Sequence, residues 1–282
     1  MSDEIKRNAM LGLTAYWTAA VRAMESRRED CLFNDPWAEA LAGAEGSTWI
    51  SQRSAESVIP IILRTRFYDD FLQHIAEDTD VRQIVLMGAG LDTRAFRLSW
   101  PQHTRIFELD QGPVLEYKER ILRSADAKPN CERRAIAVDL TAPWEDALIK
   151  AGFDQQRPSC WLFEGFLFYL STENLTQLLD RTMRLAAPGS YIGFDIINAL
   201  TLTSPLTQGW VKMQAASGAP WIGTMDDPKE FLAARGWKGT LTPLGAPAAN
   251  YNRWPFPVIP ETVQGMPHLW FVIGEKIKSI LV

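Results

Sequence analysis

The stretch VLMGAGLDT, residues 85–93, decides the fold. The apolar run that leads into it, QIVLMG at residues 83–88, predicts a buried strand. Gly88 and Gly90 follow this strand directly, where missing side chains let a ligand lie against bare backbone. Two glycines at this spacing are weak evidence alone, so the interpretation depends on what the neighbouring strands carry.

Further short apolar runs, rich in β-branched and aromatic residues, alternate with helical stretches. The predicted strands are TRIFELD (104–110), RRAIAVDL (133–140), SCWLFEG (159–165), SYIGFDII (190–197), GTLTPLG (239–245) and HLWFVIGEKI (268–277). The predicted helices among them cover residues 113–125, 143–152, 172–187 and 227–236. Parallel neighbours need a crossover, which a helix supplies, so this alternation predicts an α/β fold with a doubly wound, mostly parallel seven-stranded sheet.

The chain is predicted to form one domain, residues 1–282, with parts of different character. Residues 1–80 have apolar positions at helical spacing and predict an N-terminal helical cap, in which Asp35 would cap a helix beginning at Pro36. Residues 81–197 form the core. Residues 198–226, rich in Thr, Ser, Gly and Pro, predict a loop-like lid inserted before the last helix and strands at residues 227–282.

Composition excludes several classes of function. A net charge of -5 and a pI near 5.4 offer no basic surface to nucleic acid. Three widely spaced cysteines indicate a reducing, cytoplasmic setting, and no apolar run approaches the length of a membrane span. The three histidines lack ligand spacing, so no metal site is expected. Oligomeric state is not predicted.

Acidic residues at the ends of neighbouring strands predict a nucleoside site. Asp110, twenty residues beyond Gly90, can accept both hydroxyl protons of a ribose. Asp139 ends the third strand, where it and Leu140 can flank an adenine ring. Because ligands of parallel sheets bind beyond the carboxyl ends of the strands, these residues predict one shared platform.

The end of the glycine loop distinguishes two cofactors. A dinucleotide-binding loop would have Gly or Ala where Thr93 stands, so that a helix can approach a pyrophosphate. The Asp92 carboxylate would repel a pyrophosphate but favour the sulfonium of S-adenosylmethionine (SAM). The loop therefore favours SAM, and a nicotinamide-dependent oxidoreductase is the alternative.

Beyond this loop, the sequence resembles the leucine carboxyl methyltransferase family, whose bacterial members include enzymes that methylate small molecules such as polyketide acids. The resemblance covers about the first 185 residues. It rests on the blocks TAYWTAAVRAMESRREDCLFNDPWAEAL, LRTRFYDDFL, MGAGLDTRAFRL, FELDQGPVLEYK, AVDLTAPW and FEGFLFYLSTENL. It implies a class I methyltransferase fold, SAM as methyl donor and S-adenosylhomocysteine (SAH) as product.

The resemblance also implies which residues bind SAM. They are Arg64, Gly88, Ala89, Gly90, Asp110, Asp139, Leu140 and Glu164. Arg64 would hold the methionine carboxylate, and Glu164 would lie beside the SAM amino group. The glycine loop would lie under the amino acid part, Asp110 would bind the ribose, and Asp139 with Leu140 would contact adenine. One departure is Gln111-Gly112-Pro113, where the family has Pro directly after Asp.

For two of these residues the sequence also allows a purely structural role. Arg64 shares its helix with Arg66, Asp69 and Asp70, so it can belong to a solvated charged face. Glu164 interrupts the apolar run CWLFEGFLFYL, and a carboxylate there needs a cation, which a ligand ammonium can supply.

The methyl acceptor is less defined. Tyr169 would face it by resemblance, although ordinary packing explains this residue equally well, and Trp210, Met213 and Trp221 can line an apolar pocket. A carboxylic acid arrives ionised, whereas a phenol needs a base, for which Tyr169 and His268 are the candidates. The leading hypothesis is O-methylation of a carboxyl or hydroxyl group of a small secondary metabolite. The alternatives are methylation of a protein's C-terminal carboxylate and SAM binding without methyl transfer.

Overall fold

The computed structural model describes residues 3–277, with side chains from residue 14 onward. The helices are α1 (Asp3–Ser26), α2 (Ala38–Ser51), α3 (Ala55–Asp78), α4 (Arg94–Arg97), α5 (Gly112–Ser124), α6 (Glu145–Lys150), α7 (Thr172–Leu185), α8 (Ala199–Thr203), α9 (Gln208–Ala216) and α10 (Pro228–Ala233). The strands are β1 (Gln83–Met87), β2 (Arg105–Asp110), β3 (Glu132–Ala137), β4 (Cys160–Phe163), β5 (Tyr191–Ile197), β6 (Trp237–Pro243) and β7 (Leu269–Lys276).

The seven strands form one sheet in the order β3-β2-β1-β4-β5-β7-β6. Strands β1 to β5 run parallel, and β7 runs antiparallel to both β5 and β6. The prediction of a mostly parallel, doubly wound α/β sheet is confirmed. The strand order reverses between β1 and β4, which is where open parallel sheets form a ligand crevice.

Both faces of the sheet are covered, as the continuous apolar strands predicted. In β1, Val85 and Met87 pack into the cluster on the face of α6 and α7, whereas Ile84 and Leu86 pack into the cluster that includes α3. This alternation follows from the period of two along a strand. All five residues of β1 are buried, which places the glycine loop at the centre of the molecule.

The connection from β1 to β2 contains very little helix. Only the single turn α4 follows the glycine loop, and its residues Arg94, Ala95 and Phe96 are buried. A long helix whose N-terminus could hold a phosphate group is therefore not present after β1. The loop presents backbone and side chains to a ligand instead.

In the cap, two helix starts differ from their predictions. Asp35 does not cap a helix at Pro36, because α2 begins at Ala38. The Asp35 carboxylate instead accepts hydrogen bonds from Arg22 Nε at 2.8 Å and Thr93 Oγ1 at 2.6 Å, which joins the cap to the glycine loop. Likewise, the apolar pattern of residues 58–75 predicts a helix after Pro60, whereas α3 begins earlier, at Ala55, where the Ser54 side chain accepts from Ser57 N.

The segment 198–226, predicted as loop-like, contains two helices. The Asn198 side chain caps α8 by accepting a hydrogen bond from Thr201 N at 3.1 Å. Helix α9 follows and contains no buried residue. Its inward positions Trp210, Met213 and Gln214 are spaced i, i+3 and i+4, a helical signal that the surrounding turn-forming residues obscured. Among residues 3–277, none of the helices has the length and apolar character that a membrane span requires.

Candidate active site

The glycine loop lies at the rim where β1 to β5 end and has a conformation that requires glycine. Gly88 and Gly90 have φ of +69° and +48°, in the left-handed region. The Gly88 and Ala89 N–H groups both donate to Leu109 O, at 2.9 and 3.1 Å. A Cβ on Gly88 would stand 2.8 Å from the Phe166 ring, so the loop passes too close to that ring for any other residue.

The Asp110 carboxylate is fixed at the rim by backbone groups. Its Oδ2 accepts from Gly90 N at 2.6 Å, and its Oδ1 accepts from Gln111 N at 2.7 Å. Burial raises its pKa, and these two hydrogen bonds oppose the rise. Gln111 precedes α5, whose first residues are Gly112 and Pro113, so the inserted residues form a helix entry that leaves Asp110 beside the glycine loop.

Asp139 and Leu140 lie at the end of β3. The Asp139 Oδ1 accepts from Thr141 N at 2.9 Å and Thr141 Oγ1 at 2.7 Å, and the residue is exposed. Leu140 is buried. The pair therefore offers one polar and one apolar group at the outer part of the rim.

Arg64 and Glu164 belong to a buried network of charges. Arg64 Nε lies 3.2 Å from Glu164 Oε1, and Arg64 Nη1 lies 3.0 Å from Asp195 Oδ2. Arg94 Nη2 approaches Glu164 Oε2 to 2.6 Å. Arg64 is only 9% exposed, so the alternative of a solvated charged face is wrong. Glu164 likewise has arginine partners in the protein, which removes the argument that it needs a ligand ammonium.

Burial lowers the pKa of Arg64, but the neighbouring carboxylates Asp195 and Glu164 outweigh burial and raise it overall. The guanidinium therefore keeps its positive charge inside the protein. It lies flat against Gly165, where a Cβ would come within 2.5 Å of Arg64 Nη2. Gly165 N in turn donates to Asp195 Oδ1 at 2.6 Å, so one carboxylate positions both the guanidinium and the loop after β4.

Asp92 has a different role from the predicted one. Its Oδ1 accepts from Arg94 N at 2.6 Å, and its Oδ2 pairs with Arg94 Nη1. Burial raises the pKa of Asp92, but the charges of Arg94, Lys118 and Arg97 outweigh burial and lower it to about 2. Because Arg94 compensates this negative charge, repulsion of a pyrophosphate by Asp92 is a weaker argument for SAM than the sequence indicated.

The rim residues surround a cavity of about 170 Å³, here called the donor cavity. Its lining includes every predicted site residue: Arg64, Gly88, Ala89, Gly90, Asp110, Asp139, Leu140, Glu164 and Tyr169. Helix α1 contributes Thr14, Ala15, Thr18 and Arg22, which the sequence analysis did not assign to the site. Arg22 also donates to Leu91 O at 2.6 Å and so attaches the cap to the loop. Arg28, in the turn after this helix, pairs with Asp30 at the surface.

A second cavity of about 70 Å³, here called the acceptor cavity, adjoins the donor cavity. The two share the lining residues Thr14, Thr18, Arg64, Gly165 and Tyr169. Most other walls of the acceptor cavity are aromatic or apolar, and they include Trp210, Met213 and Trp221, as proposed for the lid segment. Trp17 and Trp49 from the cap complete it.

Tyr169 marks the boundary between the cavities. It is buried, and its Oη accepts a hydrogen bond from Gln214 Nε2 at 3.4 Å. Burial raises its pKa above the usual 10, so the hydroxyl stays protonated at neutral pH. The prediction of His268 as the other candidate base is wrong. Its ring stacks on Trp270, its Nε2 lies 3.2 Å from Val263 O, and it lines neither cavity.

Comparison with known proteins agrees with this architecture. A solved structure of a methyltransferase from Thermobifida fusca superposes with a TM-score of 0.58 at 18% identity, covering 94% of each chain. A DUF574 family protein from Streptomyces avermitilis gives a TM-score of 0.56 at 14% identity, covering 92% of this chain and 96% of the other. At these identities the likeness shows the fold alone.

Closer relatives carry a functional name. A protein from Streptomyces coelicolor named as an S-adenosyl-L-methionine-dependent methyltransferase is 40% identical over 270 residues, covering 89% of this chain and 91% of the relative. One of the same name from Mycobacteroides abscessus is 39% identical, covering 90% and 88%. Fold and relatives together define a SAM-dependent methyltransferase, which rules out the nicotinamide alternative.

A model of the leucine carboxyl methyltransferase family matches residues 15–183. The chain belongs to this family. The matched range includes the cap, the glycine loop and the block around Glu164, and it ends before the lid segment. The segment that closes the acceptor cavity therefore lies outside the part that defines the family.

Proposed function

We propose that this enzyme transfers the methyl group of SAM to the carboxylate of a small organic acid, giving a methyl ester. The observation that carries the proposal is an excess of hydrogen-bond donors at the end of the acceptor cavity nearest the donor cavity. A carboxylate accepts hydrogen bonds and donates none, so it matches such a site better than an alcohol does.

The donors come from three side chains. Among described residues, two of the five Arg64 N–H groups donate to protein carboxylates, Glu164 and Asp195. Tyr169 Oη accepts from Gln214 and retains its own proton to donate. The Trp221 indole lies beside the Tyr169 hydroxyl, but its Nε1 makes no hydrogen bond of good geometry with the described part of the chain. A ligand carboxylate can satisfy this set with charge-assisted hydrogen bonds.

The absence of a suitable base in the described lining also favours an acid. A carboxylic acid has a pKa of roughly 4 and arrives ionised, whereas a phenol with a pKa of about 10 must lose its proton. The carboxylate nearest the acceptor cavity, Asp195, already accepts from Arg64 and Gly165. Tyr169 remains protonated because burial raises its pKa.

The size of the acceptor cavity supports a small molecule as the methyl acceptor. Cap helices α1 and α2 and lid helix α9 contribute to its walls, and its volume of about 70 Å³ suits a small acceptor. Methylation of a protein C-terminus would need room for an extended peptide, so a small-molecule acceptor is the better match.

For the donor, we assign the methionine carboxylate to Arg64, the amino acid part to Gly88, Ala89 and Gly90, and the ribose to Asp110. Adenine lies against Asp139 and Leu140, and the amino group lies near Glu164. The fit rests on the glycine loop, where Gly90 N fixes the Asp110 carboxylate and both glycines line the donor cavity with this carboxylate. When bound, SAM supplies a methyl group activated by its positive sulfur.

In this assignment the protein aligns donor and acceptor rather than moving a proton. Tyr169 and the Trp221 indole beside it hold the acceptor carboxylate near the shared wall, while Arg64 holds the methionine carboxylate. One carboxylate oxygen forms a bond to the methyl carbon as the sulfur–methyl bond breaks, and that bond's electron pair stays on sulfur. The products are the methyl ester and SAH, with no proton transferred.

The test is incubation of the full chain with methyl-labelled SAM and matched pairs of small carboxylic acids and the corresponding alcohols or phenols. We expect label in base-labile methyl esters of one or more acids, with an equal amount of SAH. Label entering only the hydroxyl compounds, or no label in any acid, would contradict the proposal.

A further inference from the structure

Resting on the proposed carboxyl methylation, we infer that the acceptor is an aromatic monocarboxylic acid whose ring completes the packing between α9 and the cap. The inference concerns the walls of the acceptor cavity away from the donor-rich end. The identity of those walls decides which acid, among all small acids, the enzyme prefers.

One wall is formed by the cap. Trp17 of α1 and Trp49 of α2 stack with ring centroids 5.1 Å apart and an interplanar angle of 9°. Trp17 is almost fully buried, and both rings line the cavity. The two indoles thus present a rigid apolar surface.

The opposite wall is a chain of rings at steep angles. Phe168 and Trp221 lie 5.0 Å apart at 51°, and Trp221 and Trp210 lie 5.4 Å apart at 74°. All three rings line the acceptor cavity. Aromatic pairs in such geometry gain affinity beyond that of buried area, which a saturated ring of the same size does not.

Helix α9 provides the third observation. Trp210, Met213 and Gln214 face the cavity from one side of this helix, yet none of its residues is buried. An apolar helix face normally packs on a core. Here Trp210 packs on Trp221 but also faces a cavity, so a ligand ring in the cavity would add to the packing of the helix.

The volume of the acceptor cavity indicates that α9 must move when a ring binds. A cavity of ~150 Å³ in an engineered protein core holds one benzene, whereas the acceptor cavity measures about 70 Å³. Acceptance of a ring therefore requires α9 to move outward. Helix α9 has no buried residue, and it is held by half-buried side chains such as Trp210 and Gln214 and by the hydrogen bond from Arg53 to Ser217 at its C-terminus.

Aromatic walls also attract cations, but this cavity does not favour one. The Arg64 guanidinium, which remains charged, lies in the same lining and would repel a cationic group. An uncharged ring that carries a single carboxylate satisfies the donors and the aromatic walls together.

The experiment compares benzoate with cyclohexanecarboxylate, which differ in ring saturation alone. Binding to the full chain saturated with SAH is measured by calorimetry, and esterification is measured with labelled SAM. We expect benzoate to bind between about twofold and tenfold more tightly, the effect of one favourable ring contact. Trp210→Leu should reduce this preference, whereas Trp254→Leu, at a half-buried tryptophan outside both cavities, should leave it unchanged.

Equal or tighter binding of the saturated acid would overturn the inference, as would a preference that Trp210→Leu does not alter. Preference for an unrelated, longer acid over both benzoate and cyclohexanecarboxylate would also overturn the inference. Esterification of any of these acids would still support the proposed carboxyl methylation. If no acid is esterified, the proposed function itself fails. Benzoate-dependent protection of α9 from hydrogen exchange in the presence of SAH would support the part assigned to the helix.

Discussion

The donor cavity and the acceptor cavity share a wall but are built in different ways. The donor cavity is lined by residues at the ends of consecutive parallel strands, and its polar groups are fixed by short hydrogen bonds such as Gly90 N to Asp110 at 2.6 Å. The acceptor cavity is lined by rings from the cap, the loop after β4 and α9, which are far apart in the chain. Sheet topology determines the first, whereas tertiary packing of appended helices determines the second.

This difference indicates which side of the site should tolerate substitution. The donor side depends on charges that cannot be removed singly without leaving a buried partner unpaired. The acceptor side depends on apolar contacts that can be exchanged with graded effects. Substitutions in the two regions should therefore differ in kind as well as in size.

The largest effect is a loss of stability, expected from Arg64→Met at the wall that the two cavities share. Removal of the guanidinium leaves Glu164 with one arginine and Asp195 without its cation, and breaking a buried pair costs about 3–5 kcal/mol of unfolding free energy. Denaturant unfolding monitored by circular dichroism measures it. The control is Arg66→Met on the same helix, whose exposed pair with Asp70 should contribute about 1 kcal/mol or less. A similar loss in both variants would show that the buried network is not special.

The next largest effect is a loss of SAH affinity on the donor side. It is expected from Asp110→Ala, which removes the carboxylate assigned to the ribose. Loss of two hydrogen bonds to a charged acceptor should weaken SAH binding by about 100-fold. Calorimetry measures it, with Asp139→Ala as the matched control at the exposed end of β3, where a loss of about threefold is expected. Unchanged SAH affinity in a folded Asp110→Ala variant would mean that the ribose is misplaced.

At low pH, protonation of Asp92 should lower the free energy of unfolding by about 2 kcal/mol. Its pKa in the folded state is about 2, below the ordinary 3.8, so its contribution to stability is fully present above about pH 4. It is lost as pH falls from there through the folded-state value. Unfolding free energies between pH 2 and 6 should fall less steeply for Asp92→Asn than for the parent, and parallel curves would refute the assignment.

A smaller effect is expected from Tyr169→Phe. Loss of one hydrogen bond to the acceptor carboxylate should lower kcat/KM for the acid by about tenfold while SAH affinity stays constant. Because burial raises the pKa of Tyr169, the parent enzyme should show no ionisation of this group between pH 6 and 9. A kcat/KM profile that rises with an apparent pKa in that range would instead indicate a base, and with it a hydroxyl acceptor.

Much of the donor side could be predicted from sequence because strand ends are local signals. Each apolar run gave a strand, and the glycine and acidic residues that follow β1, β2, β3 and β4 all line one cavity, as the topology of a parallel sheet requires. The lining by Thr14 and Ala15 was missed, because nothing local indicates that a cap helix will lie across the rim.

Asp195 was missed for a related reason. It occupies the middle of an apolar strand, where sequence shows only an unexplained carboxylate, and its partner Arg64 lies 131 residues away. The partnership of Arg94 with Glu164 is likewise non-local. In the lid segment, glycine and proline favoured a loop prediction over α9, although the spacing of Trp210, Met213 and Gln214 was a usable helical signal.

The most direct test of the central claim is a crystal structure of the full chain with SAH. We expect the ribose hydroxyls at Asp110, adenine against Leu140, and the sulfur directed at the wall shared by Arg64, Gly165 and Tyr169. A nucleoside bound away from the glycine loop, or a sulfur directed away from the aromatic cavity, would contradict it.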